Sequence, residues 1–276
     1  MAYTIDDLEN SRMTGFRPRN LFGNLLKQFF DINEGMKILD LGCGTGFFTR
    51  IIKEQADVCI VGMDINEELL CGAKRIAKEQ GLDIEFKVGD ITNIDYPDGT
   101  FDIVMCDIML ECFRERIDIP IREMKRVCRP GGLVAAIEPF YQSSVMYDPY
   151  VSIELRDLIL KFSRADRAFG VGPMLPALFQ RAGLDNIDMI SWFWGGINCQ
   201  TLEFVSPQDK IKSMGENLEI IKRVLPKSKA LSDEEKEKIL KYYEERYKCF
   251  IKAPEKLKSD MGISGLPVFI AKGMKI

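Results

Sequence analysis

The chain has 276 residues, of which 46% are hydrophobic and 29% are charged, and its formal net charge is −4. This balance is typical of a globular protein with a sizeable core, and the acidity disfavours nucleic acid as a partner. The sequence contains no histidine. That absence excludes Ser-His-Asp and Cys-His catalytic triads and the commonest zinc ligand sets.

The cysteines and the apolar runs indicate the cellular environment. The eight cysteines are scattered without a Cys-x-x-Cys pair, and the first residues are polar and acidic rather than signal-like. No apolar run approaches the roughly 18–20 residues that span a membrane. The sequence therefore predicts a cytoplasmic protein with reduced cysteines, no membrane association and no bound metal. It does not indicate an oligomeric state.

The first half of the chain has the pattern of an α/β protein. Residues 1–31 are predicted to form a helical cap, with a helix at 18–31 that has Pro18 near its first turn. Residues 32–140 then alternate apolar, β-branched runs with amphipathic stretches, which indicates a parallel sheet with helices on both faces. The predicted strands are Met36–Leu41, Val58–Met63, Ile84–Val88, Phe101–Cys106 and Leu133–Ile137, and the helices between them are 46–55, 66–80 and 115–128.

The second half is predicted to be mainly helical. Residues 146–183 have two helical pieces with a break at 170–173, and 207–258 form a charged helical region in which Ser232 is an N-cap. Further strands are predicted at 187–194 and 266–271. The chain is thus predicted to be a single domain, 1–276, whose core at 32–140 binds a cofactor. The segments 141–184 and 195–263 are predicted to form a helical substrate cap, the latter as an insertion before the last strand.

A glycine-rich turn follows the first predicted strand. That strand ends in Asp40-Leu41, and the chain continues through Gly42-Cys43-Gly44-Thr45-Gly46 into a helix. Glycines at alternate positions permit a tight turn and the close approach of a ligand. The dinucleotide-binding spacing is G-x-G-x-x-G, whereas position 47 here is Phe. The spacing therefore disfavours a nicotinamide dehydrogenase.

Acidic residues follow the next predicted strands. Asp64 ends the second strand, where a carboxylate can accept hydrogen bonds from both hydroxyls of a ribose. Gly89-Asp90-Ile91 ends the third strand and Asp107 the fourth. Since the carboxyl ends of parallel strands meet at one edge of a sheet, these residues predict a single ligand site beside the glycine turn.

Together these motifs resemble a known family. Leu39–Gly46 resembles the first motif of class I S-adenosylmethionine-dependent methyltransferases. Asp64, residues 89–91, residues 101–104 and residues 126–132 resemble its later motifs. The similarity is strongest to the branch that includes ubiquinone and menaquinone biosynthesis enzymes. It implies a Rossmann-like, seven-stranded, mostly parallel sheet whose last strand is antiparallel, with S-adenosylmethionine as the cofactor.

The resemblance also implies roles for individual residues. The glycine turn would contact the methionine part of the cofactor, Asp64 the ribose, and Asp90 with Ile91 the adenine. The full set of predicted cofactor-binding residues is Asp40, Gly42, Cys43, Gly44, Gly46, Asp64, Ile65, Gly89, Asp90, Ile91 and Asp107. Arginines 12, 17 and 19, together with Phe16, are further candidates for closing over the cofactor, one arginine pairing with its carboxylate. The alternative for each arginine is a position on the solvated surface.

The expected reaction is an in-line displacement at the methyl carbon, in which alignment contributes most of the catalysis. A general base is needed only if the acceptor arrives protonated. The candidates by position are Asp107, Glu111, Glu138 and Tyr141. Each has an alternative: contact with the cofactor's amino group for Asp107, a solvated helix position for Glu111, and a structural role for Glu138.

Aromatic side chains follow the fifth strand, where the family binds its acceptors. They are predicted either to line the acceptor pocket or to form the core of the added helices: Phe140, Tyr141, Tyr147, Phe169, Trp192 and Trp194. The predicted function is methyl transfer to a small molecule, at O, N, S or C. The alternatives are a methyltransferase acting on RNA or protein, and a non-catalytic cofactor-binding protein that uses residues 195–263 as an interface. The acceptor itself is not encoded in these motifs.

Overall fold

The computed structural model describes residues 5, 9, 19–143, 145–147, 151–165, 170–197, 207–253 and 263–276. The chain divides into two compact units. The larger consists of Phe16–Phe140, Phe169–Trp192 and Val268–Ile276, and the smaller of Met1–Gly15, Tyr141–Ala168 and Phe193–Pro267. The prediction of one domain over 1–276 stays a prediction.

Eight strands are present in the described ranges. They are β1 (Lys37–Leu41), β2 (Cys59–Asp64), β3 (Glu85–Val88), β4 (Phe101–Asp107), β5 (Cys128–Pro139), β6 (Val145–Tyr147), β7 (Asp185–Ile197) and β8 (Ile263–Met274). In the larger unit the order is β3-β2-β1-β4-β5-β8, in which the first five strands are parallel and β8 is antiparallel to β5. Strand β7 also pairs with β8. The predicted seven-stranded, mostly parallel sheet with an antiparallel last strand is confirmed.

Strand β6 is additional to the predicted strands, and it begins at the edge of a region that was predicted to be helical. It has three residues and pairs antiparallel with Ile263–Gly265 of β8, within the smaller unit. A three-residue strand is too short to produce a hydrophobic period, so its pairing is visible only in three dimensions.

The helices are α1 (Arg19–Phe29), α2 (Phe47–Gln55), α3 (Glu67–Glu79), α4 (Asp118–Val127), α5 (Ile153–Ala165), α6 (Leu175–Arg181), α7 (Pro207–Val224) and α8 (Asp233–Lys252). Helix α3 shows why such segments form where they do. The side chain of Asn66 accepts a hydrogen bond from the backbone amide of Leu69, which satisfies one free donor of the first turn. Two glutamates in that turn and Lys78 in the last turn complement the helix dipole.

The core of the larger unit lies between the sheet and its helices. Apolar side chains of β1, β4 and β5 are buried against side chains of α4 and α6, among them Leu39, Val104, Val134, Met124 and Phe179. Helix α6 therefore belongs to this core, although residues 141–184 were predicted as part of a substrate cap. The role of 141–184 and 195–263 as a cap stays a prediction.

The smaller unit has a core of its own. Ile159 of α5 packs with Leu225, Leu231 and Ile239, which come from the α7–α8 hairpin and its connection. The predicted N-cap at Ser232 is present as a capping box, in which Ser232 and Glu235 each bond the other's backbone amide. No helix within the described ranges is long and apolar enough to cross a lipid bilayer.

Candidate functional site

The glycine turn joins β1 to α2 through three glycines with left-handed backbone conformations. The φ angles of Gly42, Gly44 and Gly46 are 66°, 55° and 75°, which a side chain disfavours. A Cβ on Gly46 would lie 2.8 Å from the Phe86 ring, whereas a Cβ on Gly44 would meet no atom within 4 Å. The space above Gly44 is therefore open to a ligand.

Asp64 connects the end of β2 to this turn. Its Oδ2 accepts a hydrogen bond from the Gly44 amide at 2.8 Å, and its Oδ1 accepts one from the Asn66 amide at 2.8 Å. A carboxylate has about four lone-pair sites, so each oxygen retains acceptor capacity. Asp64 is therefore oriented by two backbone donors next to the open space above Gly44.

Beneath the turn lies a buried polar group that sequence reasoning missed. Thr49 Oγ1 donates to Asp40 Oδ2 at 2.6 Å, and Arg50 Nη1 donates to the Thr45 carbonyl at 2.6 Å. All four residues are buried. Polar residues on the otherwise apolar face of α2 were the only available signal, and their partners were not readable from it. These hydrogen bonds support the glycine turn from its buried side. Asp40 is one of the buried residues, and its predicted contact with the cofactor stays a prediction.

The end of β3 agrees only partly with the prediction. Asp90 is exposed and its Oδ1 accepts from the amide and the hydroxyl of Thr92, both at 2.8 Å. Ile91, predicted to lie against the adenine, instead packs in the core of the larger unit. The exposed apolar side chains in this region are Ile65, which is 72% exposed, and Val88. The chain turns after Asp90, where the Asn93 amide donates to the Asp90 carbonyl at 3.0 Å, and Ile91 is buried within this turn.

The turn after β4 contains an unusual backbone conformation. Asp107 is buried at the end of the strand, and the next residue, Ile108, has a φ of 45°. Left-handed conformation is rare for a β-branched residue. The Ile108 amide donates to the Ile137 carbonyl at 2.8 Å, so β5 supports the turn directly.

Glu138 occupies a different position from the one expected of a catalytic base. It is fully buried, and its Oε1 accepts hydrogen bonds from the amides of Met109 and Leu110 at 2.9 and 2.7 Å. Burial raises the pKa of this carboxyl to about 8; the two amides oppose the shift, and the charges of Glu111 and Asp107 add to it. A side chain with no exposed surface favours the structural role, the alternative given for Glu138, and its role as a general base stays a prediction.

The remaining predicted base candidates differ in their surroundings. Glu111 is half-buried in a short 3-10 turn after β4. Tyr141 begins a 3-10 turn in the smaller unit and is buried. Cys43, within the glycine turn, is a thiol rather than a thiolate: burial, with Asp40 and Asp64 nearby, raises its pKa well above the ordinary 9.0.

The predicted acceptor aromatics are only partly described. The Trp192 ring packs edge-to-face on Phe22 of α1, with centroids 5.2 Å apart, and Phe140 lies 6.4 Å from Phe269 in the same manner. Both contacts lie within the larger unit, and the roles predicted for these aromatic residues stay predictions. Phe169 and the side chains of Tyr147 and Trp194 lie outside the described residues.

The N-terminal arginines are likewise only partly described. Arg19 forms two hydrogen bonds with the Glu54 carboxylate, at 2.8 and 3.1 Å. Arg19 therefore pairs with α2, and the closure of an N-terminal arginine over the cofactor stays a prediction. Arg12, Phe16 and Arg17 lie outside the described residues. Within the described ranges, no group of three or more cysteine or carboxylate side chains is arranged to hold a metal ion.

Comparison with known proteins gives these features a context. Residues 32–155 match the model of a methyltransferase domain family. "Probable methyltransferase ltbC" of Aspergillus luteorubrus is 35% identical over 163 residues, 54% of this chain and 56% of that protein. Demethylmenaquinone methyltransferase of Bacillus subtilis (strain 168) is 29% identical over 187 residues, 62% of this chain and 79% of that protein. The chain thus spans about half the length of the first relative.

Solved structures share the fold. The YcgJ protein of Bacillus subtilis has a TM-score of 0.53 and 16% identity, covering 92% of this chain and 98% of that chain. Phosphoethanolamine N-methyltransferase 2 of Haemonchus contortus, in complex with phosphomonomethylethanolamine and S-adenosylhomocysteine, has a TM-score of 0.56 and 16% identity. That comparison covers 100% of this chain and 58% of the other. The Rossmann-like fold expected from the motifs is confirmed.

Proposed function

We propose that the chain transfers the methyl group of S-adenosylmethionine to a small-molecule acceptor, a proposal supported by the match of residues 32–155 to the model of a methyltransferase domain family. The observation that carries the proposal is the hydrogen bond between Gly44 and Asp64. It joins the open glycine turn to an oriented carboxylate at the carboxyl ends of adjacent strands, where ligands of such sheets bind.

The residues at this edge fit the proposed cofactor. The open space above Gly44 accommodates the methionine part against bare backbone. Asp64 has acceptor capacity for the two ribose hydroxyls, and the exposed side chain of Ile65 offers an apolar surface to the adenine. Asp90 Oδ2 is available as an acceptor for the adenine amino group, because the Thr92 bonds use only Oδ1.

The chemistry then needs little from the protein beyond alignment. When bound, S-adenosylmethionine supplies a methyl carbon that its sulfonium already makes electrophilic. The chain's own task is to hold donor and acceptor in line, an effect worth roughly 7–11 kcal/mol of barrier in well-oriented reactions. Asp107 is proposed to accept a hydrogen bond from the donor's amino group, since its carboxyl ends β4 beside the turn.

Three observations support a small acceptor. The net charge is negative, which disfavours binding of a nucleic acid. The aligned relative from Bacillus subtilis is named for a quinone precursor, demethylmenaquinone. The sequence after β4, Asp107-Ile108-Met109-Leu110, also lacks the Pro-Pro-aromatic run of base-methylating enzymes.

We propose a cytoplasmic location, because the seven cysteines in the described ranges are all unpaired.

A thermal-shift titration tests the donor half of the proposal. S-Adenosylhomocysteine at 100 times its Kd stabilises a protein by about 2.7 kcal/mol, which raises the melting temperature of a chain of this size by about 5–10 °C. NAD at the same concentration is the control and is expected to have no effect. A shift with NAD, or none with S-adenosylhomocysteine, contradicts the proposal. Release of S-adenosylhomocysteine from S-adenosylmethionine in the presence of pooled hydroquinones, amines and phenols then tests catalysis.

A further inference from the structure

The turn after β4 is strained and is held by one neighbouring strand. Ile108 has a left-handed conformation, which is energetically unfavourable for a β-branched residue. Three successive amides of this turn donate to β5: Ile108 to the Ile137 carbonyl, and Met109 and Leu110 to Glu138 Oε1. Strain of this kind persists only where surrounding bonds impose it. In this turn the bonds are made by the carbonyl of Ile137 and the carboxyl of Glu138.

The same turn supports the glycine turn. A Cβ on Gly42 would overlap Met109 Cγ and lie 3.2 Å from Met109 Cβ. The Met109 side chain therefore lies directly against the backbone of Gly42. Because Gly42 has a left-handed φ as well, a displacement of Met109 would remove the contact that limits its conformation. Met109 therefore donates its backbone amide to Glu138, and the Met109 side chain contacts the glycine turn.

Burying the carboxyl group of Glu138 is energetically unfavourable unless the group has a structural role. Its side chain has no exposed surface, and within the described part of the chain its Oε2 has no hydrogen-bond partner. Burial of such a group costs free energy that an apolar side chain of similar size would not incur. The carboxyl does provide what an apolar side chain does not, an acceptor for two adjacent amides.

We propose that Glu138 is a positioning residue of the donor site, which fixes the turn after β4 and, through Met109, holds Gly42 in the conformation that the donor's methionine part requires. The inference rests on the proposed function. It assigns Glu138 no contact with the donor or the acceptor, and it places the link entirely within the larger unit.

Four single substitutions and one double substitution in the full chain test this link by calorimetric titration with S-adenosylhomocysteine. Glu138→Leu removes the acceptor oxygen and is expected to weaken binding about tenfold, since two hydrogen bonds to the turn are lost. Glu138→Gln retains an acceptor oxygen at the same distance and is expected to bind within about threefold of the original chain. This rescue distinguishes the acceptor from the charge.

The other two variants separate positioning from loss of stability. Met109→Ala leaves the Glu138 bonds in place but removes the contact with Gly42, and it is expected to weaken binding by a similar factor. Combined with Glu138→Leu it should add little, because both changes break one link. Val134→Ala, in the buried part of β5, lowers stability without touching the link and is expected to leave the Kd unchanged.

The following outcomes would overturn either the inference about Glu138 or the proposed function. Additive effects of the Glu138→Leu and Met109→Ala changes, or unchanged binding by either folded variant, would overturn the inference while the donor site itself stands. If Glu138→Leu does not fold, Met109→Ala alone carries the test, and its unchanged Kd would overturn the inference. Absence of binding by the original chain would instead overturn the proposed function.

Discussion

The backbone amide of Gly44 donates a hydrogen bond of 2.8 Å to the carboxylate of Asp64. Twenty residues separate the two in sequence, and the bond joins the glycine turn after β1 to the end of β2. One carboxylate therefore serves two purposes in the proposed site. It fixes the turn that borders the methionine part of the donor, and it presents its remaining lone pairs to the ribose.

Replacement of Asp64 with Ala removes both functions. The affinity for S-adenosylhomocysteine is expected to fall by about 100-fold, because hydrogen bonds to a charged acceptor contribute about 1.5–3 kcal/mol each. Titration calorimetry measures the change. The control is Asp57→Ala, which removes an exposed carboxylate that pairs with Lys53, and its Kd should equal that of the original chain. An unaltered Kd for Asp64→Ala would show that Asp64 does not hold the ribose.

Replacement of Gly44 with Ala tests the open space above the turn. Gly35 provides a matched control, since it also has a positive φ and no atom within 4 Å of an added Cβ. Both substitutions are expected to lower the free energy of unfolding by about 1–2 kcal/mol through backbone strain. Only Gly44→Ala should also weaken donor binding, by at least about tenfold, because its methyl group would occupy the ligand's space. Equal donor affinity in the two variants would contradict this.

Acid should weaken the contact between Glu123 and Arg126. Hydrogen bonds from the Arg126 guanidinium, and then one from the Ile94 amide, lower the pKa of Glu123 below its ordinary 4.5. A lowered pKa in the folded state means that the stabilisation is present above 4.5 and is lost as the pH falls through the folded value. Glu123→Gln is therefore expected to lower the melting temperature by about 2–4 °C at pH 7, and the gap should close towards pH 3.

At Glu138, by contrast, a rise in pH should lower the stability of the folded chain. Burial raises the pKa of this carboxyl to about 8, so its stabilising protonated form is lost as the pH rises from 4.5 through 8. Relative to Glu138→Gln, the original chain should lose melting temperature between pH 5 and pH 9. Exposed Glu115 is the control, and Glu115→Gln should track the original chain at every pH. A constant gap between the chain and Glu138→Gln would show that Glu138 does not titrate in this interval.

The thiol of Cys43 should be inert although it lies in the ligand-binding turn. Its pKa is raised by burial and by the neighbouring carboxylates, so the reactive thiolate is scarce at pH 8. Iodoacetamide is expected to modify exposed Cys71 at least about tenfold faster, as followed by mass spectrometry of tryptic peptides. Comparable rates at the two cysteines would contradict the raised pKa of Cys43.

The donor side of the site could be predicted because its signals are local. The turn at 42–46 and the acidic residues at 64, 90 and 107 each lie at a strand end, and strand ends are marked by glycine and apolar periodicity. Parallel topology then brings those ends to one edge without further information. The positions of Gly44 and Asp64 agree with that expectation.

What the sequence alone determined, then, was the order of the elements and the types of residue at their ends, because these depend on neighbours along the chain. Tertiary structure decided which way each side chain points: Ile91 into the core, Trp192 onto Phe22, and Glu138 onto the amides of the turn after β4. It also decided the pairing of β6 with β8. The physical reason is that burial and hydrogen-bond partners are set by residues far away in sequence, and hydrophobic periodicity carries no information about them.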